Sequence, residues 1–243
     1  MIDFTNTADE LASAGCEIAI LPIGALEQHG PHLPMCTDYM VAKSVAEAVA
    51  KKLNAYLLPT LPISTSYEHK GKKGSVWMRA KTFYSVIQDI VLNLKEQGFS
   101  KVVIMLGHGG IFVSTPAIRE LNADYPDLRV AKVDFLQFLG VPEMLKTLEC
   151  RDNLHACEYE TSLMLYLAEE MVKKDKIDGA DFVPDVPRDF LNYCSIVKLS
   201  KTGVWGKPSL GTKEKGEKVF RILVDESIQY IEKIFSQTEG YFD

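Results

Sequence analysis

Residues 17–38 read EIAILPIGALEQHGPHLPMCTD, and this stretch decides the fold. Its first eight residues, EIAILPIG, are an almost unbroken apolar run of strand length. Such a run predicts a strand covered on both faces, as strands of parallel sheets are. Gly24 ends it, polar residues follow, and Thr37-Asp38 open a helical spacing of Val41, Ala42, Val45, Ala46 and Val49, with either side chain suited to cap the first turn. The same alternation continues outward along the chain. Runs at 56–63 (YLLPTLPI), 101–107 (KVVIMLG) and 128–136 (LRVAKVDFL) read as further buried strands. Between and after them lie four more helical spacings: Phe83 to Leu94, stopping near Gly98; a helix starting around Thr115-Pro116; Met164 to Met171; and Val219 to Phe235. Strand and helix in alternation predict an α/β fold, a mainly parallel sheet with helices on both faces. In such sheets ligands collect at the carboxyl ends of the strands.

Composition narrows the function classes. The 243 residues carry 27 Lys+Arg against 33 Asp+Glu, a formal charge of −6, which argues against a nucleic-acid surface. No apolar run reaches the roughly 18 residues a membrane span needs, and the N-terminus, MIDFTNTADELASAG, has no basic segment followed by an apolar one. A cytoplasmic protein that binds neither membrane nor nucleic acid is the expectation. Five scattered cysteines with no C-x-x-C pair predict reduced thiols, neither a disulfide framework nor a thiolate zinc site. Without a repeat or linker, residues 1–243 are expected to form one domain.

Three segments concentrate residues with chemistry. The first holds Glu27, His29, His32 and Asp38 just past a strand end. Glu27 and His29 are two apart, so in extended chain both project to the same side; taken alone, they serve equally as solvated loop residues, with Asp38 a simple helix cap. The second, Gly107-His108-Gly109-Gly110, permits a tight turn against a ligand. A phosphate loop would end in Gly-Lys-Ser/Thr and an esterase would carry G-x-S-x-G; neither is present, which leaves a metal-binding His108. The third, His155, Glu158 and Glu160, leads into a helix on which the two glutamates would project about 200° apart. Together these histidines and carboxylates suffice for a two-metal site with one shared carboxylate, of Zn, Mn or Fe.

The motifs Gly24-Ala25-Leu26-Glu27-Gln28-His29-Gly30-Pro31-His32-Leu33-Pro34 with Thr37-Asp38, Glu68-His69, Gly107 to Gly110, His155 to Ser162 and Gly203-x-x-Gly206-x-Pro208 resemble, in order and approximate spacing, those of the creatininase (creatinine amidohydrolase) family. The resemblance covers nearly the whole chain. It implies a three-layer α/β/α sandwich holding two divalent metal ions that hydrolyses C–N bonds of cyclic amides, formamides or related small molecules. It also implies a homo-oligomer, since such proteins are often hexamers. By position, Glu27, Asp38 and His108 look like the ligands of one metal, with His29 and a bridging Asp38 holding the other. In creatininase itself a glutamate stands two places after the turn histidine; here that place is Gly110, so Glu158 is expected to supply the missing carboxylate. His155 and Glu160 resemble a catalytic histidine and the glutamate that partners it. Ile111 stands where the family usually has Asn, removing a possible substrate hydrogen bond, and Cys157 where it usually has Gly.

His32 is expected to support a ligand by hydrogen bonding, and Gly109 and Gly110 to border the substrate. Glu68 and His69, beside Lys70 to Lys73, read as a substrate-covering loop or a solvated one. Two other readings compete: a family member that binds metal and ligand without turnover, and a thiol hydrolase built on Cys36.

Overall fold

The computed structural model describes residues 1–238. Its strands and helices, in chain order, are β1 (Ile2–Asp3), α1 (Ala8–Ser13), β2 (Ile18–Ile23), α2 (Thr37–Leu53), β3 (Tyr56–Leu57), α3 (Ala80–Glu96), β4 (Lys101–Leu106), α4 (Ser114–Asp124), β5 (Arg129–Asp134), α5 (Pro142–Thr147), α6 (Glu158–Leu167), α7 (Ile196–Leu199) and α8 (Lys213–Gln237). The strands form one five-stranded sheet in the order β1-β3-β2-β4-β5, and every pairing is parallel.

The apolar runs behave as buried strands should. Along β4, Val102, Ile104 and Leu106 face one core and Val103 and Met105 the other, the period of two a strand imposes. The first core packs beneath α3 and α4, the second beneath α2, α5, α6 and α8, so the sheet is the middle of three layers. No helix among the described residues is long and apolar enough to cross a membrane.

The expected strand at 56–63 shrinks to Tyr56–Leu57. Pro59 and Pro62 lack an N–H and disfavour ladder geometry around them, and isolated hydrogen bonds replace the ladder: Leu58 N to Ile20 O at 3.0 Å, Leu61 N to Pro22 O at 2.9 Å and Gly24 N to Leu61 O at 2.9 Å. The spacing expected to carry a helix from Met164 to Met171 breaks after Leu167, where Glu169–Met171 turn as a 3₁₀ segment. The run at 128–136 gives up its last two residues to the 3₁₀ turn Phe135–Gly140.

Two glycines set the position of α2 against the sheet. A Cβ on Gly24, past β2, would lie 2.6 Å from the Tyr39 backbone, and one on Gly107, past β4, would lie 2.8 Å from the Asp38 carbonyl oxygen. Their missing side chains let the first turn of α2, with Asp38, descend onto the carboxyl ends of the two central strands.

Candidate metal centre

Segments following β3, β2 and β4 leave the carboxyl edge of three adjacent strands, and the approach to α6 comes over them. The four segments meet in one buried cluster. Glu27, His29, His32, Asp38, His69, His108, His155 and Glu160 are all buried, so every histidine of the chain is withdrawn from solvent.

His29 donates from Nδ1 to the Glu27 carbonyl oxygen (3.2 Å), which leaves Nε2 facing Asp38 Oδ1 at 3.1 Å and Glu160 Oε1 at 3.7 Å. On the other side His108 turns Nδ1 to Asp38 Oδ2 at 3.2 Å and Nε2 to Glu27 Oε2 and Glu68 Oε1 at 3.3 and 3.2 Å. Asp38 thus points one carboxylate oxygen at each half of the cluster. Glu27 Oε1 meets His69 Nε2 at 3.0 Å and His155 Nδ1 at 3.6 Å. Three overlapping sets have ligand atoms within 4.8 Å of one another: Glu27, Glu68 and His108; His29, Asp38 and Glu160; Glu27, His29 and His155.

These residues fit cations better than they fit one another. Both carboxylate oxygens of Glu27, and Oδ2 of Asp38, are buried without a geometrically sound hydrogen bond, although imidazole nitrogens stand close by. A buried carboxylate without donors is costly. Four carboxylates, Glu27, Asp38, Glu68 and Glu160, converge here, and two divalent cations would balance their charge. Oxygen and imidazole donors with no thiolate suit hard or borderline metals.

The titration of the cluster follows the same logic. Burial pulls the His29 ring down, yet Asp38 and Glu160 outweigh it and hold His29 well above the usual imidazole range. His108 is raised in the same way, against burial, by Glu27, Asp38 and Glu68. Burial would lift Asp38, but His29 and His108 hold it well below the usual carboxylate range. Ring protons and metal ions compete for these nitrogens. His155 is pushed well below the ordinary imidazole range by burial and by the neighbouring His29 and His69.

Several expected placements change. Glu158 does not join the cluster: its carboxylate accepts from the Glu149 and Cys150 backbone N–H groups (3.0 and 2.7 Å) and from Lys215 Nζ of α8 (2.5 Å). The helical phase is the reason, since α6 starts at Glu158 and Glu160 therefore projects to the opposite side, toward His29. Glu160 in turn does not touch His155. That ring instead donates from Nε2 to the Gln28 carbonyl oxygen at 2.6 Å, which leaves Nδ1 unprotonated toward Glu27. His69 is no solvated loop residue, and its Nδ1 contacts Gln28 Nε2 at 3.1 Å. Ile111 is buried in the core beneath α3 and α4. Cys157 is buried, and burial together with the nearby Glu160 drives its thiol well above the usual range, which disfavours the nucleophilic thiolate. Cys36 stands at the start of α2, and no histidine hydrogen-bonds to it among the described residues.

Gln28 is a site residue that composition and spacing did not single out. It lies within the quoted motif: its Nε2 reaches His69 Nδ1 (3.1 Å) and the Gly203 carbonyl (3.2 Å), while its own backbone carbonyl holds His155, tying three segments together. Gly110 is also informative. A Cβ there would fall 1.8 Å from Glu68 Oε1, so the room left by this glycine is filled by the Glu68 carboxylate. A cavity of about 400 Å³ opens over the cluster, bordered by Glu68, Gly109, Gly110, Phe112, His155 and Glu160.

His32 stands behind the cluster, its Nε2 2.9 Å from Thr161 Oγ1. Burial and the nearby cationic His29 depress it to about 4. A histidine kept neutral in the fold and free to protonate when unfolded contributes stability above pH 6.5. That contribution is lost progressively as pH falls from 6.5 toward 4, by on the order of 3 kcal/mol in total. Urea unfolding of metal-stripped protein across this window should show a shallower pH slope in His32→Gln than in the parent; equal slopes would contradict the assignment.

Comparison with known proteins agrees with this geometry. The model of the family described as creatinine amidohydrolase matches residues 5–231. The creatinine amidohydrolase of Pseudomonas putida is 27% identical over 93% of this chain and 93% of its own. A mycofactocin precursor peptide peptidase of Mycobacterium ulcerans is 26% identical over 93% of this chain and 89% of its own. Among solved structures, a creatininase variant described as Zn-Zn type superposes with a TM-score of 0.79 at 25% identity, covering 96% of this chain and 98% of that one. Sequence, three-layer architecture and the converging carboxylates and histidines agree: the chain belongs to the creatininase family.

Proposed function

We propose that residues 1–243 act as one domain, a binuclear metal-dependent hydrolase of a C–N bond in a small amide, cyclic amide or formamide. Two ions of Zn, Mn or Fe per subunit would be held by Glu27, Glu68 and His108 on one side and by His29 and Glu160 on the other, with Asp38 shared. The observation that carries this reading is Asp38, buried at the start of α2, with one oxygen toward His29 and the other toward His108. When bound, such ions supply an activated water and polarise the scissile carbonyl. Glu27 and Asp38 would hold the cations in place. The Gln28 backbone carbonyl, by accepting a hydrogen bond from His155 Nε2–H, leaves Nδ1 free to take a proton at the cluster and pass it to the leaving nitrogen.

Creatinine is not the substrate this arrangement favours, because Gly110 stands where creatininase itself carries a glutamate. Relatives of this chain include both an amidohydrolase and a peptide peptidase, and the roughly 400 Å³ cavity suits a small molecule or the end of a peptide. We read the protein as cytoplasmic, supported by five free cysteines, and as a homo-oligomer, supported by the exposed Phe112, Phe190 and Tyr193.

Metal removal tests the reading. Dialysis against a chelator should abolish hydrolysis of a formamide and cyclic-amide panel, and Zn²⁺ or Mn²⁺ should restore it. Activity that survives in protein shown to be metal-free contradicts the proposal, and chelator insensitivity with loss on alkylation would point to Cys36.

A further inference from the structure

Arg188 belongs to the 3₁₀ turn Arg188–Asn192, which hangs over the cavity mouth. It lines the cavity, and its Nη2 lies 3.4 Å from where a Cβ on Gly109 would be, so the guanidinium rests against the turn that carries His108. Among the described residues no Lys and no other Arg lines this cavity. Arg188 forms no salt bridge within 4.0 Å among the described residues, and even its neighbour Asp189 is not paired with it. The wall beside it is apolar, formed by Phe112, Leu136 and Leu191. Arg188 is exposed at the edge of the cavity, and a solvent-facing guanidinium there, beside an apolar wall and without a protein anion, is open to a ligand anion.

We infer that the substrate carries an anionic group, a carboxylate or a phosphate, which Arg188 grips while the scissile amide lies over the cluster. The inference rests on the binuclear reading above, and it names the class of substrate: an anionic amide with an apolar portion against Phe112, Leu136 and Leu191. Arg188 sets specificity and takes no part in bond cleavage.

Three probes on the metal-loaded protein test this: 3-phenylpropanoate, 2-phenylethyl phosphate, and 4-phenylbutan-2-one as the uncharged analogue. Their dissociation constants are measured by calorimetry in the parent and in Arg188→Gln. Losing a charge-assisted fork should lower the preference for at least one anion over the ketone about tenfold. The anion that loses more identifies carboxylate or phosphate as the group recognised. A preference that falls less than threefold for both anions, or no saturable binding of either anion by the parent, overturns the inference. Metal content of both proteins, measured in parallel by mass spectrometry, reports on the binuclear reading separately. If no metal is found, that reading fails, while the anion preference still reports on Arg188.

Discussion

Asp38→Ala is expected to lose most of its bound metal and to reduce turnover by about 10³-fold or more. The residue is buried at the first turn of α2, placed there because Gly24 and Gly107 have no side chains to hold the helix away. Its two oxygens face His29 and His108 at 3.1 and 3.2 Å, so one truncation would remove the proposed shared ligand from both halves of the cluster. A metal-activated nucleophile is worth several kcal/mol, and each 1.36 kcal/mol is tenfold in rate. Metal analysis of the purified variant, with circular dichroism to show that it folds, checks the result. Turnover near that of the parent in a metal-depleted Asp38→Ala would remove Asp38 from the centre.

The second large effect belongs to His155. Substitution by Gln should leave both ions in place and lower kcat about 10²- to 10⁴-fold, the range for loss of a positioned proton-transfer group. Its orientation comes from the Gln28 carbonyl and from a backbone bridge to Trp205, while the left-handed Ala156 (φ 48°) turns the chain sharply before α6 begins. If instead His155 were a metal ligand, as its nearness to Glu27 and His29 allows, His155→Gln would lose metal together with activity. A kcat within a few-fold of the parent would remove it from both roles.

Much of this was legible in the residues. The run from Glu17 to Gly24, read as a strand buried on both faces, places Glu27, His29 and Asp38 at a carboxyl edge, and β4 does the same for His108. The alternation of such runs with helical spacings was enough for the three layers. What was not legible depends on contacts distant in sequence. Glu158 and Glu160 could be told apart only by helical phase together with Lys215, a lysine 57 positions away that neutralises Glu158 from α8. Glu68 and His69 sit among lysines and glycines that read as solvated chain. A 3₁₀ turn, Tyr67–His69, folds them inward beneath the Gly110 position. The two prolines that shorten β3 were visible, but their effect depends on which N–H groups the neighbouring strand needs. Arg188 carried no signal at all, because its meaning lies in the cavity it lines and the partner it lacks.

The central claim is that two cations flank Asp38. The measurement that addresses it most directly is an anomalous difference map from crystals of the metal-loaded protein, collected at the absorption edge of the bound metal. Two peaks per subunit are predicted, one among Glu27, Glu68 and His108 and one between His29 and Glu160, each within coordination distance of an Asp38 oxygen. A single peak, or peaks that leave Asp38 outside the coordination sphere, would contradict the account.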